Sequence, residues 1–198
     1  LNRNTAPALA EREPMLLADF ENKTGEDIWD GTLKQALAIA LEQSPYMNIF
    51  PEARARSTMR LMNRSVDEPI TRAVGREICQ RHNVRAYLVG AITKLERSYT
   101  VTLEATDAQS GETIARTLEQ ATGRDEVVNA LGRAAKDLRE KLGESLASLR
   151  KYDAPLVEAT TSSLEALKAY STGWRAVQNG TSSESYSFLQ RAIELDEQ

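Results

Sequence analysis

The chain has 198 residues, of which 41% are hydrophobic and 27% charged, and its 25 Lys and Arg against 29 Asp and Glu give a formal net charge of −4. This length and composition predict a globular protein with one medium domain and a smaller unit, and the acidic balance disfavours nucleic acid or anionic lipid as a general partner. No apolar run approaches the roughly 18–20 residues of a membrane span, and the start at Leu1 instead of Met leads us to expect a fragment of a longer protein.

The chain opens with a polar segment and then with the pattern of an α/β unit. Residues 1–14 contain two prolines and show no hydrophobic period, which predicts a linker or arm. An apolar run over residues 15–20 has the length of a strand, and a polar loop follows over residues 21–30. Helical spacing then begins, with an apolar stripe made of Trp29, Leu33, Ala36, Leu37, Ala40 and Leu41.

The loop after this first strand is a candidate ligand site. Ligands of α/β units tend to lie beyond the carboxyl ends of the strands, and the helix start offers backbone N–H groups to an anion. The acidic residues around the loop argue against an anion as the ligand. Most of these acids are explained as helix caps or solvated loop residues, so we expect no metal site. The candidate ligand-binding residues are Asn22, Lys23, Thr24, Gly25 and Asp30.

A basic helix follows the second predicted strand, which covers residues 46–50. The helix starts at Pro51 and runs to about residue 63, and it carries a row of arginines at four-residue spacing: Arg56, Arg60 and Arg64. This row is a candidate docking face for an acidic partner or phosphate. The alternative, which we favour, is a solvated face paired with neighbouring acids.

The next helix, over residues 69–82, carries the single cysteine and the single histidine of the chain. Cys79 has no partner for an internal disulfide, and His82 alone cannot build a paired-histidine zinc site. We interpret both as ordinary positions of one helix and predict no cofactor.

A β-rich segment and a long helix complete the first unit. Residues 86–92 are continuously apolar, residues 98–107 alternate strictly, and residues 112–120 return after a Gly-containing turn. This pattern predicts an antiparallel meander, and apolar spacing over residues 124–149 predicts a long helix. The sequence therefore predicts a mixed α/β domain over residues 15–150, with a mixed sheet and packed helices. The β-rich segment holds no nucleophile–base pair and no phosphate-binding glycine loop.

A linker over residues 151–162 precedes a helical hairpin over residues 163–198. Ser162 and Glu165 have capping-box spacing. The inward side of the first helix is predicted to hold Leu164, Leu167, Tyr170, Ser171, Trp174 and Val177, and that of the second to hold Tyr186, Leu189, Ala192 and Ile193. Two short helices joined tightly form a hairpin.

The hairpin resembles one tetratricopeptide repeat beginning at Ala166. Gly173 and the ending AIELD over residues 192–196 fit the repeat, whereas Ala169, Ser185 and Glu197 depart from it. Arrays need about three units, so we expect the first repeat of a truncated array. The resemblance implies a partner face on the first helix, made of Tyr170, Trp174 and Gln178. The alternative is that Tyr170 and Trp174 pack against neighbouring helices.

Residues 15–121 resemble the TolB-like α/β domain, which is related to CsgG-type secretion components, in ADFENKTGEDIWDGTL, VRAYLVGAI and YTVTLEATDAQSGETI. Almost the whole chain is also similar to the region after the transmembrane segment in bacterial membrane serine/threonine kinases of the acidobacterial type. The segments that carry this second resemblance are LADFENKTG, DGTLKQALAIALEQSP, EICQRHNV, KLGESL and ATTSSLEALKAYSTG. The kinase itself is absent, since the chain has no Gly-rich loop and no H-R-D motif.

These observations predict a non-enzymatic sensor and protein-interaction region of a larger signalling protein. The resemblance implies the extracytoplasmic (periplasmic) side of a bacterial inner-membrane receptor kinase, with the cytoplasm as the alternative, and a protein or peptide partner bound by the repeat array. A small-ligand or anion receptor using the loop after the first strand is the alternative function. A carboxylate-based hydrolase is disfavoured, because the acids lie at cap and loop positions.

Overall fold

A mixed six-stranded sheet forms the centre of the protein. The structure is a computed structural model and describes residues 13–196, so most of the predicted arm over residues 1–14 lies outside the described residues. The strands are β1 (Pro14–Leu17), β2 (Glu21–Lys23), β3 (Asn48–Ile49), β4 (Ala86–Leu95), β5 (Ser98–Asp107) and β6 (Thr113–Ala121). Their order is β3-β1-β4-β5-β6, with β2 also paired to β4. β1 is parallel to β3 and β4, and β2 is parallel to β4. The pairs β4–β5 and β5–β6 are antiparallel, which confirms the predicted fold class and the predicted meander.

Helices cover both faces of this sheet. They are α1 (Thr32–Glu42), α2 (Glu52–Leu61), α3 (Arg72–His82), α4 (Val127–Lys141), α5 (Leu146–Lys151), α6 (Leu156–Ala159), α7 (Leu164–Asn179) and α8 (Ser182–Leu195). Alternate strand residues face opposite ways, so two cores form. One packs α1 and α4 on Met15 and Leu17 of β1, and the other packs α2 and α3 on Leu16.

The helix predicted over residues 124–149 is two helices. It begins as a 3-10 turn (Arg124–Glu126), and α4 ends at Lys141. Gly143 then adopts a φ of +105°, a left-handed conformation that glycine accepts without steric cost. The Ser145 side chain caps α5 by accepting a hydrogen bond from the Ser148 N–H. The chain therefore turns between Lys141 and Leu146, although the apolar helical spacing of the sequence continues through this segment.

Residues 151–162, predicted as a linker, pack on the body of the protein. They include the end of α5 and all of α6, whose Leu156 is buried in the core shared with α1 and α4. Gln43, just after α1, binds the backbone of Ala154 twice: its amide accepts from the Ala154 N–H at 2.7 Å and donates to the Ala154 carbonyl at 3.3 Å. The segment is thereby held against α1.

The hairpin forms, with α7 against the body and α8 against α7. Leu164 and Leu167 of α7 join the α1 and α4 core, and the cap of α7 is Ser163 instead of the predicted Ser162. A Cβ atom at Gly173 would lie 2.8 Å from Leu189 Cγ, so the absence of a side chain at this position lets the two helices approach closely.

Several residues predicted to face inward in the hairpin are exposed. Tyr186 is 72% and Ile193 68% exposed, and Trp174 and Val177 are about 40% exposed. The apolar period was read correctly as helical. However, within residues 13–196 the side of α8 that carries Tyr186 and Ile193 is left uncovered.

The outer edge of β6 is capped by cations from α4. Lys141 Nζ donates to the Arg116 carbonyl at 3.0 Å, and Arg133 Nη2 donates to the Gln120 carbonyl at 3.1 Å. Because β5 occupies the other side of β6, these two carbonyls belong to the free edge of the sheet. Within residues 13–196, none of the helices is both long and apolar enough to cross a membrane.

Candidate functional site

A groove with a volume of about 530 Å³ lies at the carboxyl ends of β1 and β3. From β1 the chain continues through α1 on one face of the sheet to β3, and from β3 through α2 and α3 on the other face to β4. Such a change of face beside one strand opens a crevice where ligands of α/β proteins commonly bind. Leu17 and Asp19 lie at its base, α1 and the start of α2 form one side, and α7 forms the other.

Four charged side chains at the base of the groove neutralise one another. Asp19 accepts from Lys34 Nζ at 2.7 Å, from Arg56 Nη2 at 3.1 Å and from the Ile70 N–H at 2.6 Å. Glu52 accepts from Lys34 and from Arg56, each at 2.8 Å. Burial alone would raise the pKa of the Asp19 carboxyl, but Lys34 and Arg56 beside it bring that pKa below its ordinary value of 3.8. This cluster holds β1, α1 and α2 together.

Arg56 is therefore not part of an exposed basic row. It is 5% exposed, and its guanidinium also donates to the carbonyls of Val66 at 3.0 Å and Glu68 at 2.7 Å. Arg60 remains exposed, and the exposed Arg64 pairs with Glu68 at 3.3 Å. The candidate docking face therefore loses Arg56, because Asp19, which is distant in sequence, and Glu52, one helical turn earlier, draw its side chain inward.

One face of α7 forms the aromatic wall of the groove. The rings of Tyr170 and Trp174 lie nearly parallel, with centroids 6.3 Å apart and an interplanar angle of 11°. Gln178 follows one turn later, so the three candidate partner residues of the hairpin line the same groove. Arg175 and Asn179 also line it, and sequence reasoning missed them. Each directly follows a residue of the predicted partner face, Trp174 or Gln178, and the two are one helical turn apart. This spacing could have indicated that they lie beside that face.

The predicted ligand loop is folded on itself and lies outside the residues that line the groove. The Asn22 amide donates to the Glu26 carbonyl at 2.9 Å and to Asp30 Oδ1 at 2.8 Å, and its oxygen accepts from both the N–H and the hydroxyl of Thr24. Lys23 is exposed and pairs with Glu21 at 3.1 Å, and Gly25 supplies a positive φ of +75°.

Pairing of β2 with β4 explains this displacement, because it draws the start of the loop along β4 and away from the groove. Lys168 of α7 then holds the end of the loop by donating to the carbonyls of Asp27 at 2.7 Å and Asp30 at 2.8 Å. Asn22 and Thr24 thus bond within the loop, and the Asp30 carbonyl helps to hold α7.

Glu26 fixes this loop to the meander. Its carboxylate accepts from Lys94 at 2.5 Å, from the Tyr99 hydroxyl at 3.0 Å and from Trp29 Nε1 at 3.0 Å, and it lies 3.3 Å from the Arg124 guanidinium. The hydrogen bond from Lys94, with those from Tyr99 and Trp29, lowers the pKa of Glu26 to about 2.

Acid should therefore remove the contribution of Glu26 to stability. Because its folded-state pKa lies below the ordinary value of 4.5, the carboxylate stabilises the fold fully above that value, and the contribution is lost as the pH falls towards about 2. We expect Glu26→Gln to be less stable than the wild type at neutral pH, with the difference shrinking in acid. Urea unfolding over this pH range measures it. Glu77→Gln, at an exposed carboxylate paired with Arg81, is the control, and a difference that stays constant with pH would contradict the assignment.

The remaining titratable candidates have packing roles. Cys79 is fully buried, its thiol donates to the Ala86 carbonyl at 3.6 Å, and burial raises its pKa to about 12. His82 Nε2 lies 2.7 Å from the Thr58 hydroxyl, and its ring packs at 5.1 Å from Phe50. Among the described residues, no three His, Cys, Asp or Glu side chains converge in a way that could hold a metal ion.

Comparison with known proteins relates the fold to bacterial structures. No family model matches the chain, and no curated protein matches its sequence. The C-terminal domain of LpoB from Escherichia coli has 15% identity and a TM-score of 0.53, over 59% of this chain and 87% of that chain. The corresponding domain from Salmonella enterica has 13% identity and a TM-score of 0.52, over 57% and 84%. At such identities these similarities show a shared fold alone. TolB from Acinetobacter baumannii, with 13% identity over 70% of this chain and 30% of its own, has a TM-score of 0.46, which is too low to support an argument.

Proposed function

We propose that this chain is a non-enzymatic interaction region that holds a protein or peptide segment in the groove between α1 and α7. The observation that carries the proposal is the stacked Tyr170–Trp174 pair on the wall of a groove of about 530 Å³. Tyrosine and tryptophan are among the residues that most often dominate the binding energy of protein interfaces. The volume lies within the range of about 300–1,000 Å³ typical of recognition pockets.

The electrostatics of the groove favour binding over catalysis. A general acid or base needs a pKa near the working pH and an open path to the substrate. Asp19, the carboxylate at the base of the groove, has a lowered pKa and is held by Lys34, Arg56 and the Ile70 N–H. Asp19 thus bonds to other residues of the fold. The Tyr170–Trp174 wall of the groove is the part that we assign to a partner.

The setting that fits the sequence resemblances is the extracytoplasmic side of a bacterial inner-membrane protein. In this proposal a TolB-like α/β unit over residues 15–150 is joined by residues 151–162 to a hairpin that begins a tetratricopeptide-repeat array. The parent protein is a receptor serine/threonine kinase, for which this chain supplies the sensing and docking region. The close approach of α7 and α8 at Gly173 is compatible with a repeat hairpin. Membrane fractionation and protease accessibility of the parent protein in cells test the location.

A peptide-display experiment tests the binding function. Peptides selected on the wild-type chain should bind Trp174→Ala at least about tenfold more weakly, because truncating an aromatic anchor removes most of its contact area. Fluorescence anisotropy with labelled selected peptides measures the change. Tyr186→Ala is the matched control, since Tyr186 is 72% exposed on α8 and does not line the groove. Failure to select any peptide, or equal binding to both variants, would contradict the proposal.

A small-ligand receptor is the second candidate function, and the size of the groove is the observation that favours it. The Asn22 loop predicted for this role is internally saturated, so a small ligand would have to occupy the groove instead. A thermal-shift screen with nucleotides and sugars separates the two functions. A shift that Trp174→Ala abolishes, without peptide binding, would support the small-ligand receptor.

A further inference from the structure

Arg175 is the cation that internal pairing leaves available on the α7 wall. Lys34 and Arg56 are both committed to Asp19 and Glu52. Within residues 13–196, by contrast, no carboxylate oxygen lies within 4 Å of the Arg175 guanidinium, which packs against Gly31 and lines the groove. An arginine offers up to five donors in a planar fork that matches a carboxylate.

Asn179 adds an acceptor without a donor. Its amide nitrogen donates to Asp67 Oδ1 at 2.9 Å, whereas its Oδ1 atom is buried and has no hydrogen-bond partner. Buried polar atoms are almost always paired, so the unpaired acceptor of this groove-lining residue favours a ligand that brings an N–H group. Peptide backbones carry one such donor at nearly every residue.

The spacing of these two groups suits an extended chain. Arg175 and Asn179 are four residues apart on α7, which is about 6 Å along the helix axis. Two residues of an extended peptide span nearly the same distance, about 6.6 Å. A carboxylate at Arg175 can therefore coexist with a backbone N–H at Asn179, while a neighbouring apolar side chain contacts the Tyr170–Trp174 rings.

Glu42 limits how much negative charge the groove accepts. It lines the groove at the C-terminal end of α1, whereas the Arg175 guanidinium lies against Gly31 at the N-terminal end. The ends of this 11-residue helix are about 16 Å apart. A run of acidic residues would bring like charges towards Glu42, so a single carboxylate suits the site better than a polyacidic segment.

We propose that the groove recognises an extended peptide in which one acidic residue binds Arg175 and an adjacent aromatic or proline side chain packs on Tyr170 and Trp174. This specificity rests on the proposed function, because it assigns the chemistry of the partner to the same groove. The Asn179 acceptor receives a backbone N–H of the same peptide.

Labelled peptide pools that differ at one position test the assignment. Acetylated, amidated heptapeptide pools carry Phe at a fixed position and Glu, Gln or Lys at the next, and anisotropy measures their binding to the full chain. We expect the Glu pool to bind at least about tenfold more tightly than the Gln pool, because a charge-assisted bidentate pair is lost with Gln. In Arg175→Glu the preference should reverse towards the Lys pool, and Asn179→Ala should weaken all pools about threefold or more while keeping the Glu preference.

Arg191→Glu is the matched control, since Arg191 is an exposed arginine of α8 that pairs with Glu194 and does not line the groove. Circular dichroism melts verify that each variant is folded. Equal binding of the Glu and Gln pools, or an unchanged preference in folded Arg175→Glu, would overturn this inference and leave the proposed function standing. The absence of binding by every pool and by any displayed peptide would instead contradict the proposed function.

Discussion

Replacing Arg139 with alanine should lower the free energy of unfolding by about 3–5 kcal/mol, since it leaves a buried carboxylate without its counter-charge. The Arg139 and Glu144 side chains are 1% and 0% exposed, and the guanidinium donates to both carboxylate oxygens, at 2.8 and 2.9 Å. Glu144 also accepts from the hydroxyls of Ser44 and Ser148. One pair therefore joins the end of α1, the end of α4 and the start of α5. Urea unfolding monitored by far-UV circular dichroism measures the loss.

Two further variants make this prediction specific. Arg133 lies on α4 like Arg139, but it is half-exposed and pairs with Glu119 of β6 at 2.9 Å. Arg133→Ala should therefore lower the free energy of unfolding by no more than about 1 kcal/mol. The double variant Arg139→Met, Glu144→Leu should recover much of the lost stability, because a matched apolar pair avoids burying a lone charge. A small effect of Arg139→Ala, similar to that of Arg133→Ala, would show that the pair is hydrated in solution.

Trp29→Ala should have a similarly large effect, about 3–5 kcal/mol, because it leaves a large cavity in the core. The Trp29 side chain is fully buried, its ring lies edge-on to Tyr99 at 5.8 Å, and its N–H donates to Glu26. The residue thus supports both the first loop and the meander. Thermal melts and urea unfolding measure the loss.

Trp174→Ala is the matched control for this change, since Trp174 is 39% exposed and stacks on one side against Tyr170. We expect it to cost about 1 kcal/mol or less. The two tryptophans would then separate a stability role from a binding role within one protein. Equal destabilisation by both substitutions would place Trp174 in the core and weaken its assignment to the groove.

The sheet could be predicted from the sequence because its signal is local. Tyr99, Val101, Leu103 and Ala105 alternate with polar residues, and all four are buried on one face of β5. A period of two residues is visible in any short window of sequence. The same reasoning identified the helical hairpin, whose two helices are each defined by their own spacing and by the stop at Gly180.

The site was predicted only in part, because it depends on contacts between distant residues. Four-residue spacing places Arg56 with Arg60 and Arg64, but Asp19, 37 residues earlier, turns Arg56 inward. Likewise, the loop around Asn22 was predicted as a candidate ligand site, whereas pairing of β2 with β4 draws it away from the groove. Tyr170, Trp174 and Gln178 line one groove, as their helical spacing allows, but the opposite wall, from α1 and α2, could not be inferred from that spacing.

The capped edge of β6 has a consequence for how copies of this protein behave at high concentration. A strand from another molecule could pair with β6 only by displacing Lys141 and Arg133 from the outward carbonyls of Arg116 and Gln120. Such displacement would also crowd these cations against the incoming backbone, a common natural barrier to fibrillar growth. In crowded preparations β6 should therefore resist intermolecular strand pairing, which directs partners to side-chain surfaces instead of to this strand.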